Sequence, residues 1–260
     1  MTVKGEIRNL QTHEGPTGMN KPNSLDNIPD DIQVPVRGFA DLLKTLCAEQ
    51  VLSLTLIGSA ATGQSLPTNA SIRSVLVMEK VDLDALRRIG EQGPRFGKQR
   101  IAAPLIMTPP YIQASCDTFP LELLEITQNR CVVFGDDYFA DLSFENADIR
   151  HQCERELKAL AISLRQGLLA SSGSEPVVSE VMKNAGEGLL RVMRGMLWLK
   201  GQREKQPGPR VVDAMEKLTE RNLPGIRAAV TSSRDSSAAP HEFDLLYQDV
   251  EALGAIADAW

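Results

Sequence analysis

Between Val51 and Val77 the chain reads as strand, tight polar turn, strand. Val51-Leu52-Ser53-Leu54-Thr55-Leu56-Ile57 is rich in β-branched and leucine side chains, as expected of a strand covered on both faces. It stops at Gly58-Ser59, where Ser59 is placed to cap a short helix beginning at Ala60. Residues 63 to 69 read as a turn, and Ile72 to Glu79 as the next strand. Two apolar strands this close in sequence, joined through a Gly-Ser corner, require a sheet at the start of the fold.

The rest of the chain extends that sheet and then abandons it. Val34 to Glu49 carries Val36, Phe39, Ala40, Leu43 and Leu46 at helical spacing, which gives one apolar stripe before the first strand. Asp82 to Gln92 reads as a helix with Leu83, Leu86 and Ile89 inward. Ala102 to Met107 reads as a third strand, and Thr108-Pro109-Pro110 as a helix start. Phe119 to Ile126, containing LELLEI, is expected to be a fourth strand bearing Glu122 and Glu125.

From Asn146 onward the pattern is helical. Leu157, Leu160, Ala161, Leu164 and Leu168 form one stripe, and Val178, Val181, Met182, Ala185, Leu189, Val192, Met193 and Met196 another. A break at Gln206 to Pro209 precedes Val211 to Leu218. A Ser/Ala-rich linker (Ala228 to Pro240) leads to a last helix, Glu242 to Ala259. Long helices with short connections make an antiparallel bundle. The expected organisation is a polar arm over residues 1–32, an α/β domain over 33–144, and a helical bundle over 145–260. The fold class is α/β followed by α.

Composition removes several functions. The 260 residues carry a formal net charge of −6, which disfavours a protein that coats nucleic acid. No apolar stretch approaches the roughly 20 residues of a membrane span. The N-terminus lacks the apolar block of a secretory signal. Cys47, Cys116, Cys131 and Cys153 are widely spaced and form no C-x-x-C pair, so reduced thiols and a cytoplasmic location are expected. His151 and Cys153 lie two apart on an expected helix and do not face each other, which argues against zinc. Asp136, Asp137 and Asp141 lack the spacing of a calcium loop. Arg87, Arg88, Arg95, Lys98 and Arg100 form a basic cluster, read as a solvated helix end and loop.

Leu56-Ile57-Gly58-Ser59, Gly63, Pro67, the strand from Ile72 to Val77 and Pro120-Leu121-Glu122-Leu123 together resemble the nucleotidyltransferase superfamily. Within it the chain is most similar to antibiotic (aminoglycoside) nucleotidyltransferase-type proteins, which join such a core to a C-terminal helical bundle. The resemblance implies a mixed sheet with flanking helices, and phosphate contacts at Gly58 and Ser59. It also implies an Asp-x-Asp pair opening the second strand and a third acid later on. The pair would hold Mg²⁺, because a hard cation needs oxygen ligands, and would align a nucleoside triphosphate such as ATP or GTP.

The family's acid pair falls on Ala70 and Ile72, or, with a turn one residue longer, on Ser71 and Arg73. Neither register supplies a carboxylate. Glu122 matches the later acid and is the candidate catalytic residue, with Glu125 beside it. Gly58, Ser59, Ser71 and Arg73 are the candidate ligand-binding residues, with Arg73 taking phosphate where a metal stands in the family. No metal site is assigned.

The implied function is a catalytically degenerate nucleotidyltransferase-fold protein that binds a nucleotide, another phosphate-bearing ligand or a protein partner. The alternative is an active transferase, passing a nucleotidyl group to a small hydroxyl acceptor through Glu122 and Glu125 with Asp117 or Glu79. Only that alternative calls for Mg²⁺ with ATP or GTP. The apolar helices of the second half leave room for a homodimer or a protein partner.

Overall fold

The computed structural model describes residues 24–47, 50–63, 66, 70–203, 206–231 and 240–260. Most of the polar arm, together with Pro67 of the turn, lies outside the described residues. Residues 24–32, read from composition as the end of the arm, are built into the fold. Ser24 caps a 3-10 turn at Leu25–Asn27, and Ile28 and Ile32 are buried in the α/β core.

Helix α1 (Asp30–Cys47) starts about a turn before the expected Val34 and runs through Pro35. Its apolar face, Ile32, Val36, Phe39, Ala40, Leu43 and Cys47, is buried. Strands β1 (Val51–Ile57) and β2 (Arg73–Met78) pair antiparallel, with Leu56 opposite Ser74 and Ile57 opposite Arg73. Ser53 to Ile57 is buried throughout, as a strand covered on both faces requires.

Asp82 caps α2 (Leu83–Gly90) by accepting from the N–H groups of Asp84 and Ala85. That cap sets the helix phase, so Ala85 and Ile89 point inward while Leu83 is exposed, against the expectation for Leu83. After the short α3 (Gly93–Gly97), β3 (Leu105–Met107) lies parallel to β2, with Leu105 beside Val75. Thr108 caps α4 (Pro109–Ala114), as its Thr-Pro-Pro start indicates.

The segment expected as a fourth strand is helix α5 (Pro120–Gln128). In a strand, Glu122 would share a face with Leu124 and Ile126, and Glu125 with Leu121 and Leu123. The helix resolves that conflict. It places both acids three apart on one half-buried side and buries Leu121, Leu123, Leu124 and Ile126. Pro120 sits in the first turn, where its missing N–H is tolerated. The fourth strand is instead β4 (Arg130–Gly135), which the sequence reading passed over. It pairs antiparallel with the free edge of β1 and completes a sheet of order β3-β2-β1-β4.

Among the described residues five helices follow: α6 (Asn146–Ser171), α7 (Glu175–Leu199), α8 (Gly208–Thr219), α9 (Pro224–Thr231) and α10 (Pro240–Ala259). The expected linker begins too early, because Ala228 to Thr231 belong to α9. Residues 232–239 lie outside the described residues. Among the described residues no helix is long and apolar enough to cross a membrane.

The sheet has two covered faces. Leu54, Leu56, Ile72, Leu76 and Met78 pack with α1 and α2. Ile57, Val75 and Val77 pack with Ile112 of α4, Leu123 and Ile126 of α5, and Phe139 and Leu142 beyond β4. The helical half has its own core, which also contains Leu121 and Leu124 of α5. Helix α5 thus belongs to both halves, and its charged side is left to form a site between them.

Candidate functional site

The antiparallel pairing brings the end of β1 and the starts of β2 and β4 to one end of the sheet. Ile57 is opposite both Arg73 and Arg130 there. Gly58 leaves β1 with φ +67°, a left-handed conformation that glycine adopts without the strain of a side chain. Its N–H donates to the Asn129 carbonyl at 3.0 Å, which ties the corner to the end of α5. A Cβ at Gly58 would meet nothing within 4 Å, so its outer face is open.

The corner continues as a 3-10 turn, Gly58–Ala61, rather than as a helix capped by Ser59. Gly58 turns the chain at once, so Ser59 lies inside the turn. Its hydroxyl caps nothing, and its carbonyl accepts from the Thr62 N–H and hydroxyl.

A cleft of about 50 Å³ opens beside Gly58 and is lined by Ile57, Gly58, Arg73, Leu105, Glu122, Glu125, Ile126 and Arg191. Three residues singled out in sequence, Gly58, Arg73 and Glu122, therefore meet across one space. Ser59 and Ser71 are exposed and do not line it. Ser71 and Arg73 point outward on either side of the fully buried Ile72, which places the polar register of the strand at Ser71 and Arg73. The two extra acids of the alternative set are not gathered here. Glu79 follows the far end of β2, and Asp117 sits in the α4–α5 turn beside Thr118.

The opposite wall holds an ion cluster invisible in the sequence. Arg191 of α7 donates from Nη1 to Glu122 Oε1 at 3.0 Å and from Nε to Glu125 Oε2 at 3.2 Å. Arg194 lies 3.6 Å from Glu125 Oε1. Gln152 of α6 is buried; it donates to Glu122 Oε2 at 2.7 Å and accepts from the Leu121 N–H at 2.8 Å. Burial pulls the Arg194 guanidinium below its ordinary range and the Arg191 charge adds to this, while Glu125 opposes both. Arg73 does not pair with Glu122. Among the described residues it has no ion-pair partner.

These residues do not fit a divalent cation. Each of the four oxygens of Glu122 and Glu125 already faces a guanidinium or an amide donor. Three arginines, Arg73, Arg191 and Arg194, stand against two carboxylates, so the local charge is positive. Among the described residues no group of three or more His, Cys, Asp or Glu is placed to share a metal.

Other charged side chains singled out in the sequence make pairs away from this cleft. Asp137 pairs with the buried Arg130 at 2.9 Å. Arg87 pairs with Asp84, and Arg100 with Asp31. Cys153 is buried against the Val192 carbonyl, and burial pushes its thiol up to about 12, so it is no thiolate ligand at neutral pH.

No family model matches the chain, and no curated protein matches it. Among solved structures, the spectinomycin adenyltransferase AAD(9) from Enterococcus faecialis, with ATP and spectinomycin, superposes with a TM-score of 0.55. The match covers 86% of this chain and 98% of that chain at 10% identity. The fold is nucleotidyltransferase-like. At 86% of this chain, the match takes in most of both the sheet-bearing half and the helical half. At 10% identity the likeness concerns the nucleotidyltransferase-like fold alone, and the chemistry has to be argued from the cleft.

Proposed function

We propose that this protein binds a phosphate-bearing ligand, a nucleotide in the first instance, at the Gly58–Arg73 cleft without a divalent metal, and that it does not transfer nucleotidyl groups. The observation that carries this reading is Arg73. It is an outward cation at the start of β2, in a cleft with a local excess of positive charge. A guanidinium offers a planar fork of donors that matches phosphate oxygens and needs no bridging ion. ATP in the adenyltransferase of the same fold supports a nucleotide as the first ligand to try. At about 50 Å³ the cleft takes a phosphate group and leaves the body of the ligand outside.

Transfer chemistry needs metal-held oxygens at the phosphorus under attack. The carboxylates beside Arg73 are committed to arginines, which is why the reading is binding rather than catalysis. The helical half then serves the site by supplying Arg191 and Gln152.

Isothermal titration with ATP and GTP, in Mg²⁺ and in EDTA, tests the proposal. Binding is expected in both buffers, and Arg73→Ala is expected to weaken it by roughly tenfold or more, the size of a lost charge-assisted hydrogen bond. Binding that requires Mg²⁺, or nucleotidyl transfer to a hydroxyl acceptor that Glu122→Gln abolishes, would overturn it.

A further inference from the structure

Two arginines face the same cleft in different states. Arg73 has no ion-pair partner among the described residues, whereas Arg191 is gripped at Nη1 by Glu122 and at Nε by Glu125. The acids are three apart on α5 and hold two separate donors of one guanidinium, Glu122 at Nη1 and Glu125 at Nε, each an anionic oxygen where a phosphate oxygen could stand. Gln152 donates to the other carboxylate oxygen of Glu122, Oε2, at 2.7 Å and so keeps Oε1 aimed at Arg191. The side chains of Arg191, Glu122 and Glu125 are 35%, 37% and 26% exposed. Ion pairs this wet are weak and exchange readily.

We infer that Glu122 and Glu125 are an internal stand-in for phosphate on Arg191, and that a compact phosphate group entering from the Arg73 side exchanges with them. This rests on the cleft being a phosphate site. The acids then act as a brake on affinity, and Glu122 is a regulator of binding rather than a catalytic acid. The exchange breaks no covalent bond: Arg191 moves its donors from two carboxylates to one phosphate, and Glu122 keeps Gln152. The occupant is small, either inorganic phosphate or the terminal phosphate of an ester.

The test is titration with inorganic phosphate and with a nucleoside monophosphate, which separates the two sources. Removing the competing charges in E122Q/E125Q is expected to tighten phosphate binding by about tenfold. Glutamine is close in shape and can still accept from Gln152, and E122Q and E125Q made singly guard against loss of folding in the double variant. In an R191A background the same changes are expected to have no effect, because nothing remains to be exchanged. In the wild-type protein the Arg191 side-chain N–H resonance is expected to shift as phosphate is added.

If phosphate binds through Arg73 and the glutamine variants bind no tighter, the exchange is wrong while the phosphate site stands. Equal tightening with and without Arg191 would also overturn it, since the acids would then be acting by simple repulsion. If neither probe nor ATP binds any variant, the phosphate site itself is wrong.

Discussion

Asp249 shows how a single side chain in the helical half does two opposed things. It is buried on α10, and its Oδ2 accepts from the N–H groups of Gly225 at 2.8 Å and Ile226 at 3.1 Å. It thereby caps α9 from another helix. Burial raises its pKa above the ordinary 3.8, and the two backbone bonds only partly offset this. The native state therefore holds this proton more tightly than the unfolded chain does. The cost of ionising Asp249 is absent below pH 3.8, grows as pH rises through the native value, and stays constant above it. Asp249→Asn keeps an acceptor and removes the charge, so it is expected to match or exceed wild-type stability at pH 7, with an advantage that fades as pH falls toward 3.8 and an acid limb steeper than that of the wild type. Asp249→Ala orphans two buried N–H groups and is expected to cost about 1–3 kcal/mol for each that finds no water. Urea unfolding at several pH values checks both, and an Asn variant as unstable as the Ala variant would mean that the charge itself holds α9. The same scale governs what the sequence revealed of the site. Gly58 and Arg73 were legible because a strand-corner motif frames them locally. Arg191 was not, because it meets Glu125 and Glu122 across 66 and 69 residues, and an arginine on an amphipathic helix reads as a solvated face.

At the scale of elements, α5 is where the sequence misled. LELLEI is apolar enough for a strand, and six residues cannot separate a period of 2 from one of 3.6 by hydrophobicity alone. The signals that decide it are Pro120 ahead of the run and acids spaced by three rather than two. β4 was missed for the complementary reason: it begins with Arg130, whose charge disguises a buried position that Asp137 and the Thr127 carbonyl make tolerable. The placement of α5 depends on how closely α7 approaches it. A Cβ at Gly195 would lie 2.3 Å from Leu121 Cδ2 and 3.0 Å from Cys153 Sγ. Those are ends of side chains rather than backbone, so Gly195→Ala is expected to fold with a loss of about 1–3 kcal/mol from overpacking. Gly195→Val is expected to lose more and to displace α5 with its acids. Measuring both stability and ligand affinity for the pair is informative, because displaced acids would change affinity beyond what the stability loss explains. A stability loss with unchanged affinity would show that α5 is not held by this contact.

For the whole molecule, the question is whether an α/β half and a helical half make two folding units or one. The strand and helix patterns placed the boundary near Phe144, and each side does have its own core. What those patterns could not show is that α5, on the sheet side of that boundary in sequence, buries Leu121 and Leu124 in the helical core while burying Leu123 and Ile126 against the sheet. Gln152 and Arg191 fasten the charged side of the same helix. Separating the halves would expose two leucines to water and break the ion cluster, so cooperative unfolding is the expected behaviour. Both tryptophans, Trp198 and Trp260, pack against the helical core and report on it alone, whereas far-UV circular dichroism reports on the whole chain. The two signals are expected to give coincident urea transitions. Leu124→Ala, which removes side-chain volume from the shared helix, is expected to shift both midpoints together by an amount worth about 2–5 kcal/mol. If fluorescence and circular dichroism separate in the wild-type protein, the halves fold independently and α5 does not bind them. In that case the cleft, which draws Arg73 from one half and Arg191 from the other, would depend on the relative position of two independent bodies rather than on one shared core.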